Sequence, residues 1–193
     1  MGLDMYLQAE LYVPRPVEWM KDEARAKAEP VYNTITSLLP TTPSDRSYGV
    51  TVSYVVAYWR KANHIHKWFV DNVQDGIDEC QRSYVSREQL SELLALCREV
   101  VSKANLIEGH VYNGSHSGPD TVGEWVDDYI EDKVIEEPEV MERLLPTQKG
   151  FFFGDTGYDE YYLQDVQDTI DQLSVILDDE RGEDLSFYYQ SSW

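Results

Sequence analysis

Between Tyr58 and Val73 the chain reads Tyr-Trp-Arg-Lys-Ala-Asn-His-Ile-His-Lys-Trp-Phe-Val-Asp-Asn-Val, its densest mixture of aromatic, cationic and hydrogen-bonding side chains. Arg60 and Lys67 could neutralise an anion, Asn63 could offer both faces of an amide, and Tyr58 and Trp59 could stack on a planar ligand. His66 could move a proton near neutral pH if a carboxylate orients it. Placed on a helix at about 100° per residue, Tyr58, Trp59, Ala62, Ile65, Phe69, Val70 and Val73 share one arc. His66 lies inside that arc, Arg60, Asn63 and Lys67 line one edge, and Trp68 points almost the opposite way. An apolar wall with a few polar groups is what a ligand pocket requires. Trp59, Arg60, Asn63, His66 and Lys67 are therefore candidate ligand-binding residues for a small anionic, nucleotide-like molecule. The competing reading is a core helix with a satisfied histidine and a solvated basic border. Spacing assigns no nucleophile and no acid to orient His66, so binding is the safer expectation than catalysis.

Metal chemistry is not expected. His64 and His66, two apart on a helix, diverge by about 200° and cannot share an ion. His110, His116, Cys80 and Cys97 fall at no recognised ligand spacing, and Cys97 sits on an apolar stripe as a core thiol. No cofactor motif is present. The turn Gly150 to Gly157, ahead of a helix start, could cradle phosphate, but Asp155, Asp159 and Glu160 stand there and no Lys follows. Those acids instead complement the helix dipole.

The carboxylates are the other candidate. The 193 residues include 36 Asp and Glu against 16 Lys and Arg, a net charge of −20. Residues 1 to 118 hold 15 acidic and 12 basic residues, and residues 119 to 193 hold 21 and 4, so the excess is concentrated from about residue 119. Such a surface disfavours direct nucleic-acid binding, which needs clustered cations, and suits a partner protein with a basic surface. Asp128, Glu131 and Asp132, with Asp165, Asp168 and Asp171 recurring every three residues along a helix, form the expected partner-binding acidic surface. Rows of carboxylates on a rigid element could imitate a phosphate backbone, and binding through them would weaken as salt rises. Pairs such as Asp127 or Asp128 with Glu131, or Asp155 with Asp159, could also do acid–base chemistry, although acids this abundant pair by chance.

Elements to position these residues follow from pattern. Leu3 to Val13 and Gly49 to Ala57 alternate as strands, and Leu185 to Gln190 closes the chain as another. Glu18 to Ala28 suits a short exposed helix closed by Pro30, and Thr34 to Tyr48 a loop. Ser86-Arg-Glu-Gln89 is a capping box ahead of Leu90, Leu93, Leu94, Cys97, Val100 and Val101 at helical spacing. His110 to Asp120 reads as a loop, Thr121 to Val134 as a weak helical stripe, Glu139 to Leu145 as a short helix, Gly150 to Gly154 as a buried strand, and Tyr158 to Leu177 as a long helix. Together these predict a single α+β domain over residues 1 to 193. Its sheet would have about four strands, mixed or antiparallel, packed by four or five helices. No run of about 18 apolar residues suggests a membrane span. The opening residues lack the pattern of a secretion signal or a myristoylation site, and two cysteines suit reduced thiols in a cytoplasm.

Met1-Gly-Leu-Asp-Met-Tyr-Leu7, Tyr58-Trp-Arg-Lys-Ala-Asn63 with Ile65-His66 and Trp68-Phe-Val70, Leu144-Leu-Pro-Thr-Gln148, Gly150-Phe-Phe-Phe-Gly154, Tyr158-Asp-Glu-Tyr161 and Ser191-Ser-Trp193 together resemble a family of small uncharacterised proteins found mainly in bacteriophages and prophages. The resemblance covers essentially the whole chain and brings no established activity. It implies a phage-encoded accessory protein acting in the bacterial host cytoplasm, where such proteins often counter host defences or redirect host enzymes.

Overall fold

The computed structural model describes residues 2–39, 47–118 and 123–193. Its first strand, β1 (Asp4–Pro14), shows how the core is built. Leu3, Met5, Leu7 and Ala9 are fully buried while Asp4, Tyr6, Gln8 and Glu10 between them are not, the period of two that puts alternate side chains on one face. β2 (Gly49–Arg60) and β6 (Leu185–Ser192) pair antiparallel with β1 on either side, and the short β3 (Ser83–Val85) pairs with β6. The order β2-β1-β6-β3 makes a four-stranded antiparallel sheet. On its solvent side Arg82 lies 3.6 Å over the Tyr188 ring and its guanidinium donates to Glu10 and Gln8.

Helices cover the other side. α2 (Asn63–Val73) buries Ile65, Trp68, Phe69 and Val70. α3 (Arg87–Lys103) follows, with α4 (Pro138–Leu144) and α5 (Glu160–Asp178). Phe69 stacks flat on Tyr189 of β6, ring centres 3.9 Å apart, which ties α2 to the sheet. Burying side chains of this size contributes about 1.5–3 kcal/mol each. The capping box of α3 is complete: Ser86 Oγ accepts from Gln89 N and Gln89 Oε1 accepts from Ser86 N. The fold is α+β, as its pattern predicts, with five α-helices among the described residues, the first being α1 (Asp22–Ser37). Among the described residues no helix is long and apolar enough to cross a membrane.

Several elements differ from expectation. α1 runs through Pro30 to Ser37 rather than stopping before it; the hydroxyls of Thr34 and Thr36 bond back to the carbonyls of Pro30 and Tyr32. Residues 40–46 of the expected loop lie outside the described residues. So do residues 119–122, at the expected loop end and helix start, and Met1. In place of the expected loop and helix there are two strands, β4 (Leu106–His116) and β5 (Val126–Ile135), paired antiparallel as a β-hairpin. Val126, Ile130 and Val134 misled because a spacing of four satisfies both a helix face and a strand face. Gly150 to Gly154 is a turn, not a buried strand: Phe151 is 96% exposed while Phe153 is buried.

Candidate functional site

The expected ligand-binding helix is divided by the backbone. Tyr58, Trp59 and Arg60 are still strand, paired with Tyr6, Met5 and Asp4 of β1. Lys61 then takes a left-handed φ of 61°, uncommon for a residue with a Cβ, and α2 starts two residues later. Gly154 packs against this bend; a Cβ there would stand 3.1 Å from that of Lys61. The five candidates consequently do not converge. Trp59 is buried with its indole N–H donating to Thr169 Oγ1 at 2.9 Å. Arg60 lies at the sheet end, Nη1 3.9 Å from Asp4 Oδ1. Asn63 donates to the carbonyls of Phe153 and Asp155 and accepts from Gln148 N, so its amide holds the 148–155 loop. Lys67 pairs with Asp71 one turn on. Trp68, expected to face away from the core, is 8% exposed, because α2 is buried nearly all round.

His66 is fully buried in a closed chain of partners. Its Nδ1 lies 2.7 Å from Tyr189 Oη and its Nε2 3.0 Å from Asp78 Oδ2, and Asp78 Oδ1 accepts from the Trp193 indole at 3.1 Å. Burial lowers the His66 pKa although Asp78 opposes it. A carboxylate, an imidazole and a hydroxyl in line resemble a nucleophilic relay, but Tyr189 is 0% exposed, so no substrate reaches the hydroxyl. The chain ties α2 to β6 and to the loop after α2.

His64 faces the other side of the helix, against Tyr162 of α5 at 4.3 Å between ring centres. It is 2% exposed, and its Nε2 is buried without a hydrogen-bond partner. Burial drops its pKa to about 3, so the ring is neutral. It lines a cleft of about 330 Å³ whose wall also includes Arg60, Lys61, Tyr112, Tyr161, Asp159 and Asp165. Asp159 caps α5, accepting from Tyr162 N at 2.9 Å, and its burial raises its pKa against that bond. Burial, with Asp168 and Asp159 nearby, pushes Asp165 up to about 7. Cys97, on the buried face of α3, is pushed up to about 12 by burial and is not a nucleophile. A larger open groove of about 1010 Å³ between β2 and the end of α5 is bordered by the Lys27–Asp184 ion pair.

The acidic candidates divide between two elements. On β5, Asp128 pairs with His116 at 2.9 Å, Glu131 stands opposite His110 on the other face, and Asp132 Oδ1 accepts from Lys133 N. On α5 a three-residue repeat drifts by about 60° per step, so Asp165 turns into the cleft while Asp168 and Asp171 are exposed. Gln164 Nε2 donates to Asp168 at 2.8 Å and Gln167 Nε2 to Asp171 at 2.9 Å. The Ser115 hydroxyl likewise donates to Asp127. Among the described residues no cluster of His, Cys, Asp and Glu is arranged to hold a metal ion.

Comparison with family models, curated proteins and solved structures finds no match for this chain. The cleft is therefore known only by its own residues. Asp78 as the orienting acid of His66, and His64, Tyr112 and Tyr161 as cleft residues, were not found from sequence. They come from four separate elements or loops, and the one local signal is the pair of histidines at opposite angles on α2.

Proposed function

We propose that this chain is a non-enzymatic binding protein that engages a basic surface on a partner protein through the exposed carboxylates of α5 and the β4–β5 hairpin. The observation that carries this reading is how those carboxylates are held. Asp168, Asp171 and Asp127 take hydrogen bonds from two glutamine amides and a serine hydroxyl, all neutral donors. Each side chain is thus ordered without losing its charge. Ordering before binding lowers the entropy cost of an interface, and uncompensated charge steers a cationic partner. The resemblance to phage and prophage proteins makes a host protein, or a component of anti-phage defence, the partner we infer, with the carboxylate array standing in for a nucleic-acid backbone.

The alternative, a pocket for an anionic nucleotide-like ligand, draws less support. Asn63 and His66 spend their polar atoms inside the protein, and the cleft near Arg60 carries Asp155, Asp159 and Asp165.

The test is capture from bacterial lysate with wild-type protein, Arg60→Ala and the double variant Asp168→Asn/Asp171→Asn. A basic protein retained at about 50 mM salt, released by about 500 mM, competed by duplex DNA and lost only in the double variant supports the reading. Retention that ignores both salt and the double variant sinks it.

A further inference from the structure

We propose that the cleft between α2, the β4–β5 hairpin and the start of α5 binds a guanidinium group. The inference does not rest on the acidic-face reading, because its residues are different. His64 is 2% exposed and lines the cleft, and its buried Nε2 meets no partner among the described residues. Buried polar atoms in folded proteins are nearly always satisfied, so an orphan beside a cleft points to a missing ligand atom. The ring is neutral and does not repel a cation; protonated on Nδ1, it presents a lone pair from Nε2.

The charges point the same way. Asp165 lines the cleft with no cation within ion-pair distance among the described residues. Arg60 and Lys61 also border the cleft, on the side of Gly2, where a Cβ would stand 3.7 Å from Arg60 Nη2 and 3.4 Å from Lys61 Cε. Asp159 spends Oδ1 on the Tyr162 amide and keeps lone pairs for a second donor. These acceptors disfavour an anion. Several separate acceptors suit the planar fork of a guanidinium better than the point charge of an ammonium, and Tyr112 and Tyr161 at the rim add rings on which a guanidinium stacks. A cleft of about 330 Å³ has room for one such side chain. A free small guanidine and an arginine side chain carry the same chemistry.

Titration calorimetry with methylguanidinium, agmatine, acetyl-Gly-Arg-Gly-amide and the lysine version of that peptide tests this. Wild-type protein is expected to bind the guanidines at least tenfold more tightly than the lysine peptide. Asp165→Asn is expected to weaken them at least tenfold, and Tyr161→Ala a few-fold. The His64 Nε2 nitrogen resonance is expected to move on saturation. Equal affinity for small guanidines and the arginine peptide identifies a free guanidine as a sufficient ligand; a peptide preference of tenfold or more identifies a partner's arginine. Asp171→Asn should leave this binding unchanged, which separates it from the acidic-face interaction. No heat up to about 10 mM, equal binding of the lysine peptide, or full binding by Asp165→Asn overturns the proposal.

Discussion

His64 and His66 stand two positions apart on one helix and meet opposite surroundings. His66 has both ring nitrogens within hydrogen-bonding distance of a partner, Tyr189 on one side and Asp78 on the other. His64, buried almost as deeply, leaves Nε2 without a partner beside a cleft of carboxylates. The helix produces the divergence, since two residues rotate the side chain by about 200°. What it teaches is that a histidine with an aligned acid and hydroxyl is here a structural strut, while the one without partners is the better site candidate. Satisfaction, rather than the presence of a relay, distinguishes them.

The comparison is broken most directly by mutating each histidine. His66→Ala leaves a fully buried Tyr189 hydroxyl unpaired, removes a link to Asp78 and opens a cavity beside Phe153, whose ring meets His66 edge-on at 5.1 Å. A loss of about 3–4 kcal/mol is expected from those terms. His64→Leu removes an unsatisfied polar atom and keeps most of the volume, so it should be neutral or stabilise by up to about 1 kcal/mol. Urea unfolding midpoints of the two variants decide the matter. Equal losses would show that His64 is as structurally committed as His66.

Acid sharpens the same contrast. The folded-state pKa of His64 is depressed to about 3 by burial, below its ordinary 6.5. Its neutral form therefore stabilises the fold above pH 6.5, and that stability is lost as pH falls toward 3. Between pH 7 and pH 5 the loss amounts to about 2 kcal/mol. His66 shifts in the same direction, so the wild type alone cannot separate them. The stability difference between wild type and His64→Leu, followed by urea titration from pH 7 to pH 5, isolates His64. A difference independent of pH would mean that the His64 ring is not shut away from water.

How much of this could be seen in the chain itself depends on the range of the cause. Leu3, Met5, Leu7 and Ala9 announce β1 because strand alternation is local, and Ser86 and Gln89 announce the α3 start because both bonds of the box span three residues. Helical spacing puts Tyr58 and Trp59 in the apolar arc and Arg60 on its polar edge, so pattern alone places all three on the helix. Pairing with Asp4 to Tyr6, more than fifty residues earlier, keeps them in the sheet. The hairpin was hidden for a similar reason, since β5 is specified by β4 opposite it. The cleft is least legible: His64, Tyr112, Asp159 and Asp165 are neighbours only after α2, β4 and α5 have packed.

The smallest effect concerns the acids that accompany the two histidines. Asp78 is held by His66 and by the Trp193 indole, whereas the charges acting on the Asp165 carboxyl among the described residues are two other carboxylates, Asp159 and Asp168. Its folded-state pKa of about 7 lies above the ordinary 3.8. Stability from its protonated form is thus complete below pH 3.8 and lost as pH rises through 7. Asp165→Asn keeps the shape and removes the charge, so it should stabilise the protein above pH 7. Asp165 is partly open to solvent, and screening discounts the gain to about 1 kcal/mol. The gain should shrink as pH falls below 7 and vanish below about pH 4. Asp78→Asn should instead destabilise at pH 8, because it weakens the acceptor shared by the buried His66 ring and the half-exposed Trp193 indole. If thermal melts at pH 8 give both asparagine variants the same sign, the cleft acid is no less satisfied than the strut acid, and the distinction between the two sides of α2 fails.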